Sequence, residues 1–357
     1  MHPEMPSSST DEFQFYKRQA CRTLNNINFT LIMMNFCRKT SFFLLAYCVF
    51  AVPVALAEGE PATSIWRVTG KDGGGTVLLA GAIHMLSEED HPLPGLFEQA
   101  YRASNELVLE IATGDDPNVE AKTLRRGMYG REGKISDDLT PETYNRLRNF
   151  LTGTGLPAEA MDGFRPWLAA MTLSITEMMK LGARPELGVD NYFEGKAIRD
   201  RKPVRGLETV DFQVGIFAGL EKAVQEKMLL STLHEMATLE EDFPRMVEAW
   251  RTGDEEAVGR IILESMKTVP ELRRNVLDRR NQRWAKQISA IMKEGKTFMV
   301  VVGTGHMAGK KGLLKLFERR GFRVERWHGE KPGKPGKKAK RFIPVGLNSL
   351  TIARARR

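Results

Sequence analysis

The sequence predicts an α/β (α+β) fold in which two βαβ-like halves form one sheet, with a large helical insertion between them. Three observations predict it. Two apolar runs of strand length, 77–80 and 299–302, each end in Gly-x-x-His. Each is followed by a helical stretch and a second strand-like run, and helix starts and stops fill most of the residues between.

In the first half, Val77-Leu-Leu-Ala80 leads into Gly81-Ala-Ile-His84-Met85. Four uninterrupted apolar residues suit a strand buried on both faces. Residues 93–104 then read as a helix containing Leu96-Phe-Glu98, and 106–111 as the strand that completes the unit. The insertion follows. Thr140-Pro141-Glu142 opens a helix, with a cap and a proline at its first position. Residues 166–181 form the next, stopped by Gly182, and its Met171, Met178 and Met179 read as core filler. Helices are expected over 190–199, 210–220, 221–238, 240–251, 255–266 and 270–293, interrupted by a short strand over 202–208. The second half repeats the grammar of the first: 299–302, Gly303-Thr-Gly-His306-Met307, a helix over 312–320 containing Leu316-Phe-Glu318, and a strand-like run over 322–327.

With 42% hydrophobic and 27% charged residues in 357, the chain can bury a core but cannot supply several membrane spans; collagen-like and disordered classes are excluded too. The net charge of +8 is terminal. Residues 1–57 hold five basic and three acidic side chains and 328–357 hold nine and one, leaving 39 basic against 41 acidic between them. A folded body of that balance offers no basic groove, so no nucleic-acid partner is expected.

Arg38 and Lys39 precede an apolar run that ends in Ala55-Leu56-Ala57, the layout of a secretory signal peptide. The expected organisation is an N-terminal extension plus signal peptide over 1–57, cleaved after Ala57, a domain over 58–328, and a basic, disordered tail over 329–357. The product would be periplasmic or secreted with no stable membrane span; an uncleaved leader would anchor it. Cys21, Cys37 and Cys48 all lie in the leader, so the mature chain would have no disulfide, thiol nucleophile or cysteine-ligated metal.

Any metal must then use histidines and carboxylates. The body has only His84, His91, His234, His306 and His328, and two of these follow a strand in matched Gly-x-x-His contexts. Gly81 and Gly303 let the chain turn at the strand end. His84 and His306 are thereby presented at the carboxyl edge of the sheet, where ligands bind in α/β folds. Glu110 and Glu208 each finish an apolar strand at the same edge. Four such groups could hold a divalent ion with positions open to water, which generates hydroxide near neutral pH and polarises a carbonyl. The sequence does not assign which glutamate is ligand and which is general base. Asp190, Arg280 and Asn281 are supporting groups that could orient ligands or meet an oxyanion. A thermolysin-like HExxH is absent, because Thr238 stands where the second histidine would be, and no Gly-x-Ser-x-Gly marks a serine hydrolase.

From about Ile65 to Trp327 the chain resembles the TraB/GumN family, relatives of the Tiki metalloproteases. The resemblance runs through Leu79-Ala-Gly-Ala-Ile-His84, Leu109-Glu110, Arg165-Pro-Trp167, Leu187-Gly-Val-Asp190, Gly206-Leu-Glu-Thr209, Gln213, Arg280-Asn281 and Val302-Gly-Thr-Gly-His306-Met-Ala-Gly309. It implies an exported α/β domain with paired Gly-x-x-His motifs and, for the Tiki branch, a metal-dependent peptidase favouring manganese or cobalt; zinc also suits the donors. The expectation is an exported metal-dependent hydrolase acting on a peptide or protein substrate, with His84, His306, Glu110 and Glu208 as ligands or catalytic groups. The rival expectation is a periplasmic, non-catalytic module that binds a metal, haem or peptide signal with the same residues.

Overall fold

Alternation along the apolar runs sets the layers. In the computed structural model, which describes residues 63–329 except 71–72, 113, 115–118 and 131–132, six strands form one sheet. They are β1 (Ile65–Thr69), β2 (Thr76–Ala82), β3 (Glu106–Ile111), β4 (Val204–Glu208), β5 (Thr297–Gly303) and β6 (Arg323–Arg326), arranged β4-β3-β5-β2-β1-β6. The expected leader over 1–57 and the expected tail beyond residue 329 lie outside the described residues.

β2, β5, β3 and β4 run parallel, whereas β1 is antiparallel to both β2 and β6. The two Gly-x-x-His strands are therefore direct neighbours, with Gly81 opposite Val302 and Ala82 opposite Gly303. The helices are α1 (Gly95–Ala103), α2 (Val119–Gly127), α3 (Pro141–Gly153), α4 (Pro166–Lys180), α5 (Val189–Asp200), α6 (Val210–Ala218), α7 (Lys222–Glu235), α8 (Leu239–Arg251), α9 (Glu255–Ser265), α10 (Pro270–Arg273), α11 (Arg279–Ile291) and α12 (Leu313–Arg319).

Each half crosses over in the opposite direction. β2–α1–β3 steps over β5, while β5–α12–β6 steps over β2 and β1. Crossovers of one hand running in opposite directions place their helices on opposite faces. Leu96 and Phe97 of α1 accordingly pack with Leu78, Ala80, Met299 and Val301, joined by α5 and α8. Leu313, Leu316 and Phe317 of α12 pack with Val77, Leu79, Val300 and Val302, joined by α11. Because successive strand residues point to opposite faces, one apolar run feeds both cores. The carboxyl ends of β2 and β5 form the switch point at which an open α/β sheet has its crevice.

The helical insertion has a core of its own, built on Leu124, Leu147, Leu151, Phe164, Trp167, Leu168 and Leu229. α4 joins the two regions: Met171 packs against the helical core, whereas Ile175, Met178 and Met179 pack against the sheet.

The structure adds two elements that the sequence pattern did not show, β1 and α2. Ile65-Trp-Arg-Val-Thr69 is short and half polar, and only its pairing with β2 and β6 makes it a strand. The helix expected over 270–293 is divided, because a π-helical turn at Arg274–Asp278 separates α10 from α11. Among the described residues no helix is long and apolar enough to cross a membrane.

Candidate functional site

His84, Glu110, Glu208, Arg280 and His306 converge at the carboxyl edge of β2, β3, β4 and β5. Glu110 is the centre. Its Oε1 lies 3.8 Å from His84 Nε2 and 3.8 Å from His306 Nε2, so twice that distance bounds the separation of the two imidazole nitrogens. The same oxygen accepts the backbone N–H of Gly303 at 2.8 Å, while Oε2 accepts from Arg280 Nη2 at 2.6 Å and from Gln213 at 3.4 Å.

Each histidine is held by its other nitrogen. His84 Nδ1 stands 3.3 Å from Asp190 Oδ2. The Leu187-Gly-Val-Asp190 segment docks directly on the histidine's own segment: Val189 N–H donates to Ile83 O, and a Cβ on Gly188 would lie 2.2 Å from His84 O. Only glycine lets that segment come close enough to deliver Asp190. His306 Nδ1 lies 2.6 Å from Asn281 Oδ1, and its Nε2 lies 3.2 Å from Arg280 Nη1. A guanidinium can only donate. His306 is thus a neutral imidazole that donates from Nδ1 and accepts at Nε2.

The two histidines titrate in opposite directions. Burial and the Arg280 charge drive His306 down to about 3, against the pull of Glu110. Loss of solvent would also lower His84, but the Asp190 and Glu110 carboxylates outweigh it and raise His84 to about 9. Its side chain keeps 53% exposure, so its proton can reach solvent. Desolvation would raise Glu110, yet Arg280 and the two histidines hold it down at about 2. It is a carboxylate throughout the ordinary pH range.

Gly303 contributes more than a turn. A Cβ there would lie 2.9 Å from His84 Nε2 and 3.4 Å from Glu110 Oε1, inside the site. Gly81 stands behind the site, where a Cβ would meet Thr304 Oγ1 at 2.7 Å and Met307 Sδ at 2.8 Å. Neither glycine has a positive φ, so both are required by space rather than by backbone conformation.

Glu208 reaches the same edge but faces no histidine. Arg280 Nε donates to it at 3.0 Å and Nη2 lies 2.9 Å away, Arg283 covers its other oxygen, and the side chain has no exposed surface. The carboxylate anchors a guanidinium and has no face left for a metal or a water. The Arg280 guanidinium in turn lies over Trp284, 4.4 Å from the ring centre. Sequence reasoning did not single out Arg283, although its position three residues after Arg280 on one helix puts both on one face. Gln213 figured only within the resemblance. His91 is structural, bonding Leu187 O at 2.8 Å, and His234 and His328 are exposed.

Among the described residues no three His, Cys, Asp or Glu side chains form an assembled metal centre. Two imidazole nitrogens facing one carboxylate oxygen are nevertheless donors that suit a divalent ion. Their 3.8 Å spacings exceed the roughly 3–3.5 Å expected between ligand atoms of one ion by only a few tenths of an ångström. Arg280 engages the His306 Nε2 lone pair and has to leave it before that nitrogen can serve as a ligand.

The family model for the TraB/PrgY/gumN family matches residues 64–326. Curated relatives include the uncharacterized protein YbaP of Escherichia coli (strain K12), 24% identical over 245 residues that cover 67% of this chain and 86% of YbaP. The metalloprotease TIKI1 of Homo sapiens is 23% identical over 314 residues, covering 72% of this chain and 61% of TIKI1. No solved structure matches.

Proposed function

The chain belongs to the TraB/PrgY/gumN family, and on that premise we propose that it is an exported metal-dependent hydrolase that cleaves amide bonds in peptide or protein substrates. The observation that carries this reading is the paired anchoring of the histidines. Asp190 and Asn281 each hold one imidazole by Nδ1 and turn both Nε2 atoms to a single oxygen of Glu110. Metal-ligating histidines are oriented in this way by a partner on the second nitrogen. The likeness to a metalloprotease supports the same reading.

His84, His306 and Glu110 would hold the cation, which when bound supplies a water of lowered pKa and polarises the substrate carbonyl. Manganese and cobalt are the ions the resemblance favours, and zinc also suits the donors. Glu110, anionic at every working pH, acts as a ligand rather than as a proton donor. Asp190 accepts the Nδ1 proton of His84 and keeps that ring in its ligating tautomer. Arg280, once off His306, presents a buried positive charge to a carbonyl oxygen that gains negative charge. Glu208 and Arg283 are positioning residues that hold Arg280 at the site.

One observation favours a second reading. Arg280 already satisfies His306 Nε2 and Glu110 Oε2, which closes both to a cation, as in a module that captures a peptide signal without turnover. One experiment decides between them. The full chain is stripped with chelator, supplied with Mn²⁺, Co²⁺ or Zn²⁺, and assayed for bound metal and for hydrolysis of a mixed peptide library. His84→Ala and His306→Ala should each lose metal and activity together. Full metal content and activity in both variants would overturn the hydrolase; no bound metal and no hydrolysis in the parent would favour the binding module.

A further inference from the structure

We propose that the outer side of α11 and α12 is a docking surface for an anionic lipid bilayer, to which the protein adsorbs through lysine and arginine side chains. This surface is independent of the hydrolase reading. Its mark is the distribution of charge along the domain. Residues 279–327 hold 13 basic and 3 acidic side chains, whereas 58–278 hold 26 and 38. A body that is close to neutral as a whole is therefore strongly polarised, and its basic part is the stretch that supplies α11, β5, α12 and β6.

The fold gathers these charges on one side. α11 and α12 cover the same face of the sheet, with Trp284, Ile288, Leu313 and Phe317 turned into their shared core. Arg279, Lys286 and Lys293 recur every seven residues, or two helical turns, on the opposite side of α11 and of the turn at Met292–Glu294 that continues it; the stripe is about 20 Å long. Lys310, Arg319 and Arg320 extend it onto α12. Arg319 Nη1 donates to Lys310 O at 2.8 Å, and Lys311 pairs at 2.7 Å with Asp278, the residue before Arg279, so the two groups adjoin. All six are exposed, and none has a carboxylate partner among the described residues. Arg279 bonds Asn275, and Arg319 and Arg320 bond backbone carbonyls.

Surface charges of mixed sign neutralise one another; six uncompensated cations on one layer leave a field that an anionic partner neutralises. The rest of the layer decides which partner. A specific protein interface is built around an apolar centre, and single-stranded nucleic acid stacks its bases on aromatic rings. The large apolar side chains exposed among the described residues are Ile198 and Phe212, which lie on α5 and α6 and not on this layer. A bilayer of anionic headgroups asks for neither. Its charge is diffuse and laterally mobile, and it matches cations spread over the outside of two helices without a pocket. The sequence beyond β6 carries the same sign, since residues 328–357 hold nine basic side chains and one acidic.

The test measures partitioning of the full chain onto sedimented vesicles, either phosphatidylcholine alone or phosphatidylcholine with about one third phosphatidylglycerol, at about 0.1 M and about 1 M salt. The readout is the ratio of the two partition coefficients, anionic to neutral, from which any apolar contribution common to both vesicles cancels. The parent is compared with Lys286→Gln/Lys293→Gln/Arg319→Gln/Arg320→Gln and with Arg102→Gln/Arg146→Gln/Lys180→Gln/Lys227→Gln, which removes exposed cations elsewhere. Both variants have the same net charge, and circular dichroism checks their fold. One basic residue near an anionic surface is worth about fivefold, so the first variant should lower the ratio by at least about 100-fold and the second by no more than about threefold. The milder Lys286→Gln/Lys293→Gln should lower it by about 20-fold and decides the matter if the quadruple variant does not fold. At the higher salt, where charges are screened within about 3 Å, the ratio of the parent should approach one. A parent ratio near one at low salt, or equal losses in the two quadruple variants, overturns the surface. So does a ratio unchanged by the α11 and α12 substitutions. Tighter binding of a duplex oligonucleotide than of anionic vesicles, lost in the first variant, overturns it in favour of nucleic acid.

Discussion

His306 and His84 show how one pair of imidazoles is set to opposite protonation states. In metal-free protein, Glu110 at about 2 and His306 at about 3 both lie below their ordinary values, so the unfolded chain binds more protons than the native one from about pH 2 to 6.5. Stability should climb with pH through that window. His84, raised to about 9, adds stability that is complete below about pH 6.5 and lost as pH rises through 9. Thermal unfolding of chelated protein should therefore peak near neutrality, and a Tm that keeps rising to pH 10 would contradict the assignment to His84. A divalent ion must displace the His84 proton, so its affinity should increase by about tenfold per pH unit up to 9, as titration calorimetry would read. The histidines were visible in the sequence because a rare residue type recurred in a matched context. The use of Glu208 was not, since a strand pattern shows where a carboxylate sits but not that Arg280 and Arg283, more than 70 residues later, enclose it.

β2 and β5 meet at a register in which Gly303 lies opposite Ala82 and has no room for a side chain. Gly303→Ala should lower metal affinity by roughly 10–100-fold, the range seen when the groups around metal ligands are disturbed. Circular dichroism should keep its native form, because the methyl group enters the site and not the core. Unchanged affinity would show that His84 Nε2 does not stay where the structure has it. The strands were legible wherever four apolar residues ran together, as at 77–80 and 299–302. β1 escaped because its run is short and mixed, and of the two strands that pair with it only β2 is near in sequence, while β6 comes from the far end of the domain. The division of α10 from α11 escaped because helical spacing alone does not reveal a π-helical turn, and that turn directly precedes the helix carrying Arg280 and Asn281.

The two halves were readable as one sheet because Gly-x-x-His, helix and strand recur in the same order; the strand order that makes β2 and β5 neighbours was not, since a repeat does not say which strands touch. The halves are joined at the far edge, where β6 pairs with β1, Trp327 N–H donates to Ile65 O at 3.0 Å, and Arg326 binds Glu255 at 2.8 Å. Trp327 is 1% exposed, and Trp327→Ala should cost about 3–5 kcal/mol in a denaturant titration. A loss below 1 kcal/mol would mean that the last strand is not part of the cooperative unit. The order of the central strands also bears on when the protein can act. β5 lies between β2 and β3 and is hydrogen-bonded to both, so the gap between those strands stays open until residues 297–303 arrive. Synthesis proceeds from the N-terminus, so a growing chain already carries His84 and Glu110 but has neither the Gly303 N–H nor His306 to complete their surroundings. On the hydrolase reading, a nascent chain would thus be chemically silent toward its neighbours and toward itself until nearly the whole domain had emerged.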